Sequence, residues 1–168
     1  MNGTPTRYII DANVFIEAAQ RYYAFDIAPT FWQALVQHAQ NGIVLSIDRV
    51  KDEISKGKDE LKEWTNNHFH HSFETTNDDE VLTAYQRVIQ WAMGRSQYTN
   101  SAKAEFAEAD NADAWVVAYA MVKGYIVVTQ EGSHPNSKRK IFIPDVCQAF
   151  VVQYIDTFKM MRRLEVKL

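Results

Sequence analysis

Apolar positions along this chain fall into two rhythms. Short apolar runs at residues 7–10, 42–47, 125–129 and 151–155 have the length and composition of strands, and the first ends in Ile9-Ile10, as expected of a strand covered on both faces. Residues 72–76 add a short edge strand, and Ile141-Phe142-Ile143 is strand-like. Between these runs the apolar spacing is helical. Residues 14–20 fit a helix with Asn13 near its N-cap. Residues 31–41 put Phe31, Leu35 and Ala39 on one face, with Pro29 and Thr30 before them and Gly42 as the stop. Asp48 can cap a helix that carries Glu53, and residues 58–67 follow as another. Residues 78–93 repeat Val81, Leu82, Tyr85, Val88, Ile89 and Ala92 at helical spacing. Residues 102–123 are helical with a break near Asp110, and Gly124 ends them. Asp156 caps a last helix bearing Phe158, Met161 and Leu164. Strands alternating with helices predict an α/β fold with a parallel sheet covered on both faces.

No repeat, low-complexity tract or Pro/Gly/Ser-rich linker divides the 168 residues, so a single domain over 1–168 is expected. A hydrophobic fraction of 46% with 23% charged residues is ordinary for a soluble globular protein. The lone Cys147 excludes an internal disulfide and fits a reducing cytoplasm. The opening Met1-Asn2-Gly3-Thr4-Pro5-Thr6 lacks the apolar core of a signal peptide, and the apolar run at 114–122 falls short of the roughly 20 residues that span a membrane. The expectation is a cytoplasmic protein without a membrane partner. A net charge of −3 argues mildly against nucleic acid, since general binders of phosphate backbones are usually basic. Basic clusters exist nonetheless at Lys138-Arg139-Lys140, at Arg162-Arg163, and at Lys51, Lys56 and Lys58.

The chemistry concentrates in four acids. Asp11 closes the first strand and Glu131 lies just after the strand at 125–129. Asp113 opens the helix that feeds that strand, and Glu53 lies about one and a half helical turns past the second. Open α/β sheets bind ligands beyond the carboxyl ends of their strands, so these four gather at one edge. Carboxylates held close need a counter-charge, which oxygen-seeking Mg²⁺ or Mn²⁺ supplies. Each acid also has a duller role: Asp11 as a helix cap and Asp113 as a favourable charge in a first turn. Asp110 and Asp113, three apart, would share a helical face. Asn13 either caps its helix or hydrogen-bonds Asp11, and Thr129 either serves the metal site or ends its strand.

These residues resemble the PIN-domain ribonucleases, the domains of the VapC toxin family. The likeness is carried by Asp11-Ala12-Asn13 after a first strand, the helical Glu53, and the stretch from Ala112-Asp113-Ala114-Trp115 to Val127-Val128-Thr129-Gln130-Glu131. Arg21-Tyr22-Tyr23-Ala24-Phe25-Asp26 and Ile143-Pro144-Asp145-Val146-Cys147 further resemble an uncharacterised PIN-like subfamily of bacteria and archaea. The resemblance implies a Rossmann-like three-layer domain and Mg²⁺- or Mn²⁺-dependent cleavage of single-stranded or structured RNA. It assigns Asp11, Glu53, Asp113 and Glu131 as the catalytic, metal-binding quartet, Asp110 as an auxiliary ligand, and Asn13 and Thr129 as residues behind them. Many members carry Asp where this chain has Glu131. The partners implied are an RNA substrate, a cognate antitoxin or adjacent DNA-binding protein, and a second copy in a homodimer. The alternative is a PIN-like RNA-binding or scaffold protein without catalysis.

An acidic chain needs local cations to hold phosphates. Lys138, Arg139 and Lys140 follow soon after Glu131 and are expected to do so, unless they form a solvated loop. His68, His70 and His71 find no partner pattern for zinc and read as surface residues. Cys147 reads as a buried structural thiol, and Trp32, Trp64, Trp91 and Trp115 as core packing.

Overall fold

A computed structural model describes residues 5–57 and 59–168; Lys58 and residues 1–4 lie outside the described residues. The chain folds as β1 (Tyr8–Ile10), α1 (Ala12–Glu17), a π-helical turn (Ala18–Tyr22), α2 (Pro29–Gln40), β2 (Val44–Ile47), α3 (Asp48–Ser55) and α4 (Glu60–Trp64). A second π-helical turn (Thr65–Phe69) and a 3₁₀ turn (His70–Ser72) lead into β3 (Phe73–Glu74) and α5 (Asp79–Met93). Then come α6 (Asn100–Phe106), α7 (Asp113–Lys123), β4 (Ile126–Val128), α8 (Ile143–Ala149), β5 (Tyr154–Ile155) and α9 (Thr157–Arg163).

All five strands are parallel, in the order β3-β2-β1-β4-β5. The chain grows outward from β1 to β3, then returns to β4 on the other side of β1. The direction of winding therefore reverses between β1 and β4, and their carboxyl ends flank the crevice that such a reversal opens. This is a Rossmann-like α/β fold with helices on both sides of the sheet. Ile9, Ile10, Val44, Ile47, Val127 and Val128 are completely buried, as residues of a doubly covered sheet must be. On one side this core is aromatic around Phe15, whose ring meets Phe69 edge-on at 5.3 Å and lies 6.3 Å from Trp64 and from Phe73. Truncating a fully buried ring of this kind generally costs about 3–5 kcal/mol. Trp32, Trp64 and Trp115 are buried and Trp91 half-buried, in keeping with core packing. Cys147 is buried in α8, His68, His70 and His71 are exposed, and no helix among the described residues is long and apolar enough to cross a membrane.

Several local expectations need correcting. Asp11, not Asn13, caps α1: its carboxylate accepts from the Ala12 N–H at 2.8 Å. Asp48 lies inside α3 and caps nothing there. It is taken by Thr76, whose N–H and hydroxyl donate to it at 3.0 and 2.8 Å and tie α3 to the chain after β3. Residues 141–143 are not a strand; Ile143 opens α8, where Pro144, lacking an N–H, suits the first turn. The break expected near Asp110 is present: α6 and α7 are separated by residues 107–112. Asp110 therefore sits in a turn and shares no helical face with Asp113. Gly124 ends α7 at φ +74°, a left-handed conformation that glycine adopts without strain.

Candidate metal centre

Topology alone carries three of the acids to the crevice. Asp11 is the residue after β1, and its N–H donates to the Val128 carbonyl at the end of β4. Glu131 comes three residues after β4. Helix α7 runs back against the strands, so its first residue, Asp113, starts at their carboxyl ends. Oxygens of Asp11, Asp113 and Glu131 all lie within 4.8 Å of one another. No other such group of His, Cys, Asp and Glu side chains occurs among the described residues. Glu53 and Asp110 share the same cleft of about 410 Å³ without joining the triad.

The carboxylates of Asp11, Glu131 and Glu53 are each held by hydrogen bonds. Thr129 donates its hydroxyl to Asp11 Oδ2 at 3.2 Å and accepts from the Asn13 amide at 3.4 Å and the Glu131 N–H at 3.2 Å. Asn13 in turn accepts from the Gln130 N–H at 3.1 Å. The pair thus fixes both the Asp11 carboxylate and the loop that carries Glu131. Glu131 Oε2 accepts from the Ile143 N–H at 2.8 Å, and its Oε1 lies 3.6 Å from Lys140 Nζ. Glu53 accepts from the Ala112 N–H at 2.8 Å, bridging α3 to the start of α7. Asn111 caps the same start through the Asp113 N–H at 2.9 Å.

The electrostatics are those of like charges crowded away from water. Burial, then the charges of Asp113, Glu131 and Glu53, push the Asp11 carboxyl well above the usual range, and the Thr129 hydroxyl only partly opposes them. Burial, then Glu131 and Glu53, raise Asp113 to about 7. Burial raises Glu53 as well, against the Ala112 hydrogen bond and Lys56. Asp110 differs. It is exposed, forms a 2.7 Å ion pair with Lys56, and its carboxyl is held low by that hydrogen bond. It borders the mouth of the cleft, neutralised by its own cation.

The donor set fits a hard divalent cation. Around Mg²⁺ adjacent oxygens are about 3.0 Å apart and opposite ones about 4.2 Å, so three carboxylate oxygens within 4.8 Å of one another can share one ion once the side chains draw in. All donors are oxygen, and the mutual repulsion that raises Asp11 and Asp113 is the charge such an ion offsets.

Of the three expected phosphate-binding residues, Lys140 alone lines this cleft; Lys138 and Arg139 are exposed outside it. The Lys138 carbonyl accepts from the Thr99 N–H at 2.9 Å, so the basic loop is pinned to the start of α6. Sequence reasoning treated Lys56 only as part of a basic cluster, but the fold sets it against Asp110 at the cleft mouth. Tyr22, read only within the stretch 21–26, and Phe158, read as an apolar position of the last helix, are exposed, and nothing local distinguishes them from core positions.

The fold and site define an open α/β protein with a carboxylate triad, Asp11 buried and Asp113 and Glu131 half-buried, at its topological switch point. Residues 8–168 match the family described as Domain of unknown function (DUF4411), and the chain belongs to that family. Among curated proteins, none matches the chain.

Proposed function

We propose that this protein is a Mg²⁺- or Mn²⁺-dependent endoribonuclease of the PIN type, hydrolysing RNA phosphodiester bonds. The observation that carries the reading is the convergence of Asp11, Asp113 and Glu131 at the switch point. The raised carboxyls of Asp11 and Asp113 mark that convergence as electrostatically incomplete on its own. Asp11, Asp113 and Glu131 would hold the ion, with Glu53 completing the rim. When bound, such an ion would polarise a phosphoryl oxygen and lower the pKa of a coordinated water. The chain supplies the rest. Thr129 and Asn13 keep Asp11 aimed, and the Ile143 N–H orients Glu131. Lys140 offers a cation to a phosphate at the same wall. The proton that Asp113 holds up to about pH 7 must leave before its carboxylate can serve as a ligand. The resemblance to VapC proteins extends the proposal to the toxin half of a toxin–antitoxin pair, with a cognate antitoxin and a second copy as partners.

A specific contact favours the second reading, an RNA-binding protein without catalysis. Both oxygens of Glu131 are engaged, one by the Ile143 N–H and one by Lys140, which competes with a metal for it. Incubating the protein with mixed RNAs and Mn²⁺, with and without chelator, separates the two. Chelator-sensitive cleavage that disappears in Asp11→Asn is the expected result. RNA binding without cleavage under any divalent ion would favour the second reading.

A further inference from the structure

A second cleft, of about 400 Å³, opens beside the carboxylates and shares Asn13, Glu17, Glu131 and Lys140 with their cleft. Its remaining walls are Tyr22, Gln130 and Phe158. Tyr22 is 53% exposed and Phe158 48%. Every other Phe, Tyr and Trp among the described residues is buried or half-buried, so the two exposed aromatic rings of the molecule line the same cleft. Scattered exposed apolar residues need no explanation, but two rings converging on one cleft do.

The backbone presents Tyr22 deliberately. The π-helical turn at Ala18–Tyr22 is closed by a 2.7 Å hydrogen bond from the Tyr23 N–H to the Ala18 carbonyl, five residues back. Tyr23 turns inward and stacks on Phe31 at 4.6 Å, leaving Tyr22 to solvent. Single π-turns of this kind are frequent at functional sites. Opposite it, α9 is fixed by its Asp156 cap, and Phe158 projects from its first turn.

The charges say which part of a ligand fits. Glu17 and Glu131 disfavour a phosphate between the rings, and a neutral aromatic ring meets no such penalty. Cations suited to flanking phosphates are Lys140, on the wall shared with the carboxylates, and Arg162, four residues after Phe158 on the same face of α9. We propose that Tyr22 and Phe158 form a base-stacking subsite that takes an unpaired nucleobase beside the carboxylate centre. That the nucleobase belongs to RNA rests on the ribonuclease reading; the stacking subsite itself does not. Aromatic side chains hold unpaired bases this way with little sequence preference, whereas bases of a duplex stay in their stack.

The test is fluorescence-anisotropy titration of a short labelled single-stranded RNA in chelator, on wild type, Tyr22→Ala, Phe158→Ala, Tyr22→Phe and Phe158→Tyr, alongside cleavage with Mn²⁺. Each alanine variant is expected to bind about tenfold more weakly, with the aromatic swaps near wild type and any binding of duplex RNA unchanged. If wild type cleaves RNA and the alanine variants bind and cleave as it does, the subsite is wrong and the nuclease reading survives. If the alanine variants lose single-strand binding but no metal supports cleavage, the nuclease reading fails and the subsite stands. If wild type neither binds nor cleaves single strands, both fall, and the cleft is left to a protein partner's side chain.

Discussion

The two ends of the sheet make an instructive contrast. The larger hollow, about 860 Å³ against about 410 Å³, lies at the amino ends of the strands, bordered by Arg87, Lys123, Tyr125 and Phe150. Its cations stay at the surface, and Lys123 only approaches Asp78 at 4.0 Å, the kind of exposed pair that contributes little. The smaller cleft at the carboxyl ends holds the crowded acids, including the buried Asp11. Volume does not separate the two edges; uncompensated charge does. A chain keeps like charges together out of water only where something else is gained, so the smaller cleft is the better candidate for chemistry.

The sharpest way to break this contrast is to remove a charge from each edge. On the proposed function, Asp11→Asn should lower Mn²⁺-dependent RNA cleavage on the order of 10³-fold, because it removes the charge of a carboxylate held by both Thr129 and the Ala12 N–H. Comparable activity in the variant would detach the carboxyl edge from catalysis.

Asp113 gives a stability test with a defined sign. Its carboxyl is raised to about 7 in the fold, above the ordinary value near 4. The folded state therefore binds the proton more tightly, and this contribution is fully present below about pH 4 and lost as pH rises through 7. Without metal, the melting temperature of wild type should fall relative to Asp113→Asn over that window. Above pH 7 the variant should melt higher, by on the order of 5 °C. Saturating Mn²⁺ should narrow or reverse the gap by stabilising the wild type alone. A variant that melts lower throughout would make Asp113 a structural cap of α7.

A smaller effect belongs to Thr129. Thr129→Val keeps the shape but deletes the hydroxyl that serves Asp11, Asn13 and the Glu131 N–H, and should weaken Mn²⁺ binding about tenfold by calorimetric titration. Unchanged affinity would mean that the α1 cap alone aims Asp11. The smallest effect is expected at the amino edge, where Arg87→Ala and Lys123→Ala should leave cleavage unchanged. A loss of activity there would bring the larger hollow back as a candidate site.

Much of the architecture was legible in local pattern. Ile9-Ile10 and Val127-Val128 read as doubly covered strands because nothing in them tolerates water, and they lie side by side at the centre of the sheet. Gly42 and Gly124 both take positive φ, as their reading as helix stops required. Three of the errors are of one kind. Asn13, Asp48 and residues 141–143 looked like caps and a strand because local propensity favoured it. In the fold their polar groups are claimed by residues far along the chain: Gln130, Thr76 and Glu131. Single residues with two equally good local roles are decided by such distant partners.

Sequence alone determined the parallel α/β class, the strand-end placement of Asp11 and Glu131 and the helix-start placement of Asp113, because hydrophobic period and chain connectivity are local properties. Tertiary structure decided that Asp11, Asp113 and Glu131 meet, that Glu53 borders them through the Ala112 N–H, and that Asp110 pairs with Lys56 at the cleft mouth. It also decided that Tyr22 and Phe158, 136 residues apart in number (158 − 22), stand exposed on one cleft. Distances between segments far apart in the chain follow from how the sheet winds and twists, and no spacing within a segment encodes them.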